Sequence, residues 1–346
     1  MLDKLPMNNE NIIKFTSNRS FGVEFEINSF DNRDFRLNPL NNKLLELPLG
    51  IYEVGDLIYN KLQQKVFINS WGYTHNNKMW VLKPDRSCGI EICSPVSKIN
   101  NTNKNYGSLD SICKVCDLLK EDNRIICNEK CSFHVHVNVK DCDYDVISKI
   151  LKYWIKFESV FLDSVPECRK LNKYCECIGL SSLFEYDKFY DSMTVIKKLG
   201  EHKYYTVNCF HLNKFNRNTI EFRIAENSAC LDSFFVNNWV KLLIYFVESA
   251  KSAPEIELYE KDNYKTGLYW LDLFDLLEFL KFSNNYNISE EIQQIRNWFL
   301  SRIYKNVTVT TTTDNVWSYN TRTTTINQLQ EIKNKWNIDF EKSLYG

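Results

Sequence analysis

An α+β fold is predicted for this 346-residue chain by two observations. Several short, β-rich segments alternate apolar and polar residues, and longer segments with apolar residues at helical spacing lie between and after them. A hydrophobic content of 44% and an aromatic content of 14% supply the material for a large core.

The predicted strands are FGVEFEI (21–27), MWVLKP (79–84), GIEIC (89–93), FHVHVNV (133–139), YYTVNCF (204–210) and TIEFRIA (219–225). The clearest helix is 145–165, where Ile147, Ile150, Leu151, Trp154 and Phe161 form one stripe and Pro166 follows the end. That stripe is expected to pack on a sheet. A second helix is expected over 234–249 around WVKLLIYFV, and a C-terminal pair over 268–282 and 289–304. The Asn-rich stretches 31–43 and 100–106 read as surface loops, and the Thr-rich segment 307–325 as either a ribbon around a turn or a loop.

Lys and Arg total 43 against 44 Asp and Glu, a formal net charge of −1, so no excess of positive charge points to a nucleic-acid or membrane partner. The opening MLDKLPMNNENIIKF has no apolar run of signal-peptide length, and VKLLIYFV is too short to span a bilayer. A cytoplasmic location is expected, in which most of the twelve cysteines stay reduced. Cys113 and Cys116, followed by Cys127 and Cys131, loosely match a zinc spacing. The first two also fit as small apolar residues inside a helix, so zinc binding is left open.

Side chains of a strand alternate between faces, and four strands divide informatively. Phe21, Val23, Phe25 and Ile27 oppose Gly22, Glu24, Glu26 and Asn28, while Ile90 and Ile92 oppose Gly89, Glu91 and Cys93. In the third, the apolar set opposes His134, His136 and Asn138; in the fourth, Ile220, Phe222 and Ile224 oppose Thr219, Glu221 and Arg223. A face that is merely wetted carries Lys, Thr, Ser and Gln, whereas these carry carboxylates, imidazoles and an arginine. Carboxylate and imidazole suit Mg²⁺ or Mn²⁺, and residues two apart lie ~7 Å apart, near enough to flank neighbouring ions. Arginine suits phosphate or carboxylate. If the strands are neighbours, the face is an acidic, metal-holding trough with a cationic clamp. No phosphate-binding glycine loop and no nucleophile elbow is present.

These blocks, in this order, resemble the amidoligase family, a branch of the carboxylate-amine ligases with a glutamine synthetase-like catalytic fold. The resemblance rests on FGVEFEI, WVLKPDRSCGIEICSPV (80–96), CSFHVHVNV (131–139) and the segment 203–239 containing TIEFRIA, with a weaker match at CRKLNKYCE (168–176). It implies a curved antiparallel sheet holding divalent metals and ATP on its inner face, with helices outside. It also implies metal ligation by Glu24, Glu26, Glu91, His134 and Glu221, and a nucleotide beside His136. Arg223, with Arg169 or Arg217, is expected at phosphate or acid substrate, and Asp85 in catalysis. Residues 1–250 are expected to form the catalytic domain, and 251–346 a helical extension packed on it. Two departures from the family pattern, Ser132 for a usual Gly and Asn227-Ser228 for a usual Gly-Thr, leave every expected ligand in place.

The implied reaction is ATP- and Mg²⁺- (or Mn²⁺-) dependent formation of an amide or isopeptide bond through an acyl phosphate. Its partners are a carboxylate and an amine, as small molecules, peptides or protein side chains. Three alternatives use the same residues: a phosphotransferase of the same fold, a metal-dependent phosphoesterase or nuclease, and a non-enzymatic binding protein. Neither the substrates nor the oligomeric state follows from the sequence.

Overall fold

The computed structural model describes residues 17–29, 49–69, 78–85, 87–101, 107–170, 172–178, 191–215, 218–256, 290–309, 326–327, 329–334 and 337–345. The expected helix 268–282, most of the Thr-rich segment, the loop 31–43 and Arg217 lie outside them.

The first elements are β1 (Phe21–Ser29), α1 (Leu49–Leu62), β2 (Val66–Ile68), β3 (Trp80–Asp85), β4 (Gly89–Cys93), β5 (Ser97–Lys98) and β6 (Gly107–Ser108). Next come α2 (Leu109–Glu121), β7 (Ile125–Ile126), β8 (Phe133–Asn138), α3 (Tyr144–Asp163), α4 (Glu167–Lys170) and α5 (Ser192–Glu201). The described chain then continues through β9 (Val207–Asn208), α6 (Phe210–Phe215), β10 (Thr219–Ala225), α7 (Ser233–Ser252), α8 (Glu290–Val309) and α9 (Phe340–Tyr345).

One sheet runs in the order β2-β3-β4-β1-β8-β10-β9, with the short β5, β6 and β7 attached beside β1. Its centre is antiparallel, as expected. The whole is nevertheless mixed, because β2 pairs parallel with β3 and β5 parallel with β6. The sequence reading missed β2, β5, β6 and β7, since two or three residues give too short a window for period-two alternation to register.

The expected strand 204–210 contracts to the two residues of β9. The Asn208 side-chain oxygen accepts the Phe210 N–H at 3.0 Å, which turns the backbone out of the ladder and starts α6. Between β3 and β4 the chain reverses with Gly89 at a φ of 111°, a conformation that favours glycine.

The apolar faces of β1, β4, β8 and β10 are buried against α2, α3 and α7. Each of these helices begins on a polar cap: Ser108 accepts from Ser111 N, Asp143 from Val146 N and Asp232 from Phe235 N. At the centre lies Trp154 of α3, with ring centroids 4.4 Å from Phe161, 4.8 Å from Phe222 and 5.6 Å from Phe246. Its indole N–H donates to Thr206 Oγ1 at 3.1 Å, and Thr206 in turn donates to the buried Glu158.

The helix α8 packs against α3 and α7. Its buried Arg302 donates to Ser164 O at 3.1 Å and to Glu226 at 2.6 Å, and lies over the Phe235 ring. Among the described residues, no helix is long and apolar enough to cross a membrane.

At the ends of the central strands β1 and β8, Arg19 joins β8, the loop after it and α7. It donates to Asp141 at 2.7 and 2.9 Å, to Glu248 at 3.0 and 3.1 Å, and to Asn138 O at 2.5 Å. At Asp141 the Arg19 hydrogen bonds hold the carboxyl well below the usual range. Burial pushes Glu248 up, yet Arg19 and Ser17 outweigh it and hold Glu248 low as well.

Two outcomes are expected. Trp154→Ala removes the ring on which three others pack and leaves Thr206 without its donor, so urea denaturation is expected to show a loss of about 3–5 kcal/mol. Arg19→Met is expected to cost about 1–2 kcal/mol near neutral pH, discounted because both carboxylates are partly exposed. Because those carboxylates titrate lower when folded, their contribution is full above the ordinary range near about pH 4 and fades as pH falls below it. The difference in melting temperature between wild type and Arg19→Met should therefore narrow under acid; a constant gap would show that the network does not carry it.

Candidate active site

Strand register aligns the polar residues in rows. Glu24 of β1 pairs with Cys93 on one side and His134 on the other, and Glu26 pairs with Glu91, which pairs with Lys83. Gly22, His136, Glu221 and Asn208 form the adjoining row across β1, β8, β10 and β9. Opposite His134 the β8–β10 register shifts between Phe222 and Ala225, an irregularity that carries Arg223. Such bulges re-aim side chains, and the Arg223 guanidinium here donates to Glu221 and lies 3.4 Å from His134 Nδ1.

Glu24, Glu26, Lys83, Glu91, His134 and Glu221 of these rows line one cavity of about 640 Å³. His134 sits at its middle, with Nδ1 3.3 Å from Glu24 and 3.5 Å from Glu221, and Nε2 3.8 Å from Glu26. His136 Nε2 lies 3.1 Å from Glu24 Oε1. The structure thus brings together Glu24, Glu26, Glu91, His134, His136, Glu221 and Arg223. Arg169 of α4 joins them: it is buried, lines the cavity and donates to Arg223 O at 2.8 Å. Among the described residues its Nε has no hydrogen-bond partner.

Asp85 also lines the cavity, but its Oδ1 accepts from Ser87 N at 2.7 Å, Ser87 Oγ and Cys88 N at 3.2 Å, which ties it into the β3–β4 turn. Those hydrogen bonds outweigh burial and keep it below the usual carboxyl range.

The sequence reading gave no site role to Lys83, Ser132 or His211. Lys83 meets Glu91 at 2.5 Å and brings a cation to the face that the four analysed strands leave without lysine. Alternation within WVLKP, with Trp80 and Leu82 on the other side, could have found it. Ser132 continues the spacing of His134 and His136, and its hydroxyl donates to Glu26 at 2.6 Å and contacts His134 Nε2 at 2.5 Å. His211 left no signal: it follows the expected strand and reaches Glu221 only because α6 begins there, its Nε2 3.5 Å from Glu221 Oε2.

Charge on this face is set by neighbours. Burial pushes Glu24 up, but His136, His134 and Lys83 together hold it well below its ordinary value. The same competition, won by Arg223, His136 and His211, holds Glu221 low. Glu91 is pushed up to about 8, by burial first and then by the charge of Glu24. Burial lowers Lys83, yet Glu91 and Glu24 more than offset this and keep it charged. His136 is raised because Glu24 and Glu221 outweigh its burial.

Among the described residues, three sets of three side chains bring ligand atoms within 4.8 Å of one another: Glu24, His134 and Glu221; His136, His211 and Glu221; and Glu24, Glu91 and Cys93. Carboxylate and imidazole are ordinary ligands for a divalent ion, so the donors fit one. Cys113, Cys116, Cys127 and Cys131 form no such set. The thiol of Cys116 on α2 contacts Cys230 O at 3.3 Å, that of Cys113 contacts Ser233 O at 3.6 Å, and all twelve thiols are free.

No curated protein matches the chain. Among solved structures it is similar to a bifunctional glutathione synthetase from Pasteurella multocida, with 8% identity and a TM-score of 0.40. That match covers 94% of this chain and 50% of the other, so the chain spans half that protein's length. A family model described as "Putative amidoligase enzyme" matches residues 17–247, a span that holds every strand of the sheet and each of the residues gathered around the cavity. The chain belongs to this amidoligase family.

Proposed function

We propose that the protein is an ATP- and Mg²⁺- (or Mn²⁺-) dependent carboxylate-amine ligase, forming an amide or isopeptide bond through an acyl phosphate. The specific fold we infer is glutamine synthetase-like, and the catalytic unit is residues 1–250. One observation carries the reading: in a chain of the amidoligase family, carboxylates, imidazoles and two arginines, the buried Arg169 and the half-buried Arg223, converge from separate elements on one cavity.

Glu24, His134 and Glu221 are the residues best arranged to hold a divalent ion, with Glu91 and Glu26 beside them. The bound metal-nucleotide would supply the phosphoryl group that converts a carboxylate oxygen into a leaving group, and positive charge to neutralise it.

The protein's own contribution is placement and charge. Arg223, aimed by the bulge, and Arg169, with an Nε unengaged among the described residues, present guanidinium donors to anionic oxygen at the cavity wall. Lys83 adds a cation on the opposite side of the carboxylate row. Tyr174, Tyr204 and Phe210 line the same cavity and offer ring faces to a planar group. A carboxylate of the same face takes the proton released when the amine attacks the activated carbonyl. Ser132 keeps Glu26 and His134 in fixed relation through its two contacts.

The test supplies ATP, Mg²⁺ or Mn²⁺, a pool of amino acids and small peptides, and hydroxylamine as the amine, and measures ADP and hydroxamate together. The expected result is hydroxamate in proportion to ADP for the wild type, with a loss of at least about 10²-fold in Glu221→Ala. ADP with a stable phosphorylated product and no hydroxamate would replace the ligase by a phosphotransferase. Phosphoester cleavage without ATP would replace it by a hydrolase.

A further inference from the structure

The Glu221 carboxylate faces two ways. Its Oε1 lies 3.5 Å from His134 Nδ1, in the set already described. Its Oε2 lies 3.5 Å from His211 Nε2, and is oriented by a 2.9 Å hydrogen bond from the buried Asn208. Beyond Oε2 the His136 and His211 rings stand edge to face, with centroids 4.9 Å apart at 75°. Ligand atoms of His136, His211 and Glu221 all fall within 4.8 Å of one another. The three residues come from β8, α6 and β10, so the arrangement is tertiary and not the by-product of one strand's alternation.

We propose that His136, His211 and Glu221 form a second metal position, suited to a transition-metal dication and bridged through Glu221 to the position at Glu24, His134 and Glu221. The donor sets differ in chemistry. Two imidazoles and one carboxylate make a nitrogen-rich, open three-ligand site of the type used for Zn²⁺, Co²⁺, Mn²⁺ or Fe²⁺, and disfavoured by Mg²⁺. Two carboxylates and one imidazole make an oxygen-rich site that accepts Mg²⁺ or Mn²⁺. The sheet therefore holds two neighbouring positions of unlike preference joined by one carboxylate, an arrangement in which filling one orients a ligand of the other. Asn208 acts as a positioning residue, since its bond to Oε2 fixes the carboxylate plane. In this assignment His136 is a metal ligand and not only a neighbour of nucleotide.

The proposal rests on the reading of this face as a metal site, and its test is independent of ligase turnover. The full chain, stripped with a chelator, is titrated with Co²⁺ alone and then with Co²⁺ in excess Mg²⁺, followed by visible absorption and by equilibrium dialysis. Wild type is expected to retain one Co²⁺ equivalent against excess Mg²⁺, with ligand-field bands but without the intense near-ultraviolet band of thiolate ligation. That control matters because the chain has twelve free cysteines. His211→Ala should lose this equivalent, or bind it at least about tenfold more weakly.

His211→Gln is the second variant, read in place of the first should circular dichroism show that His211→Ala is misfolded. Unchanged Co²⁺ stoichiometry and affinity in a folded His211 variant, or Co²⁺ bound only through thiolates, would overturn the site. Loss of Co²⁺ in a chain that makes no hydroxamate would uphold the site while removing the ligase reading. Hydroxamate formation together with unchanged Co²⁺ binding would do the reverse.

Discussion

Buried negative charge is the constraint around which this molecule is built. Glu26, Glu91 and Glu221 are nearly inaccessible to water, and Glu24 lies among them. Ionised carboxylates so placed repel one another and lose hydration, a cost that only opposite charge and hydrogen bonds can offset. The protein supplies these from every direction: Lys83 from β3, Arg223 from the β10 bulge, His134 and His136 from β8, and His211 from α6. Where that compensation is incomplete, as at Glu91, burial raises the carboxyl.

Such a face is tenable only if the backbone carrying it does not yield. The opposite face of the same strands meets α2, α3 and α7 in a continuous apolar layer, and Trp154 ties α3 to β10 and α7 through Phe222 and Phe246. Arg169 reaches from α4 to the backbone carbonyl of Arg223, so the helical layer also fixes the bulge that aims a cation into the cavity. Arg302 extends this support to α8, whose contacts with Ser164 and Glu226 join the C-terminal segment to the ends of α3 and β10. Rigid support of this kind is what a preorganised site requires.

Period-two alternation made most of the site legible from the residues alone. A strand with Phe, Val, Phe and Ile on one side has its Glu24 and Glu26 on the other whatever its neighbours are, and the same holds for His134, His136, Glu91 and Glu221. The helices α3, α7 and α8 were equally legible, because a stripe such as Ile147, Ile150, Leu151 and Trp154 has one stable use, burial against a sheet, whereas α1 was not foreseen. What stayed hidden arises from non-local placement. Short edge strands carry no pattern of their own, and β9 is cut to two residues by a single Asn208 side chain.

The sequence by itself therefore determined the α+β class, the apolar backing and the set of chemical groups on each strand's polar side, because these depend only on local spacing and hydrophobicity. Tertiary structure decided their order: that β8 lies between β1 and β10, that Lys83 faces Glu91, that a bulge turns Arg223 toward Glu221, and that α6 brings His211 to that carboxylate's second oxygen. Strand order and register are set by pairing between segments far apart in the chain, and no local pattern encodes which partner a strand will choose.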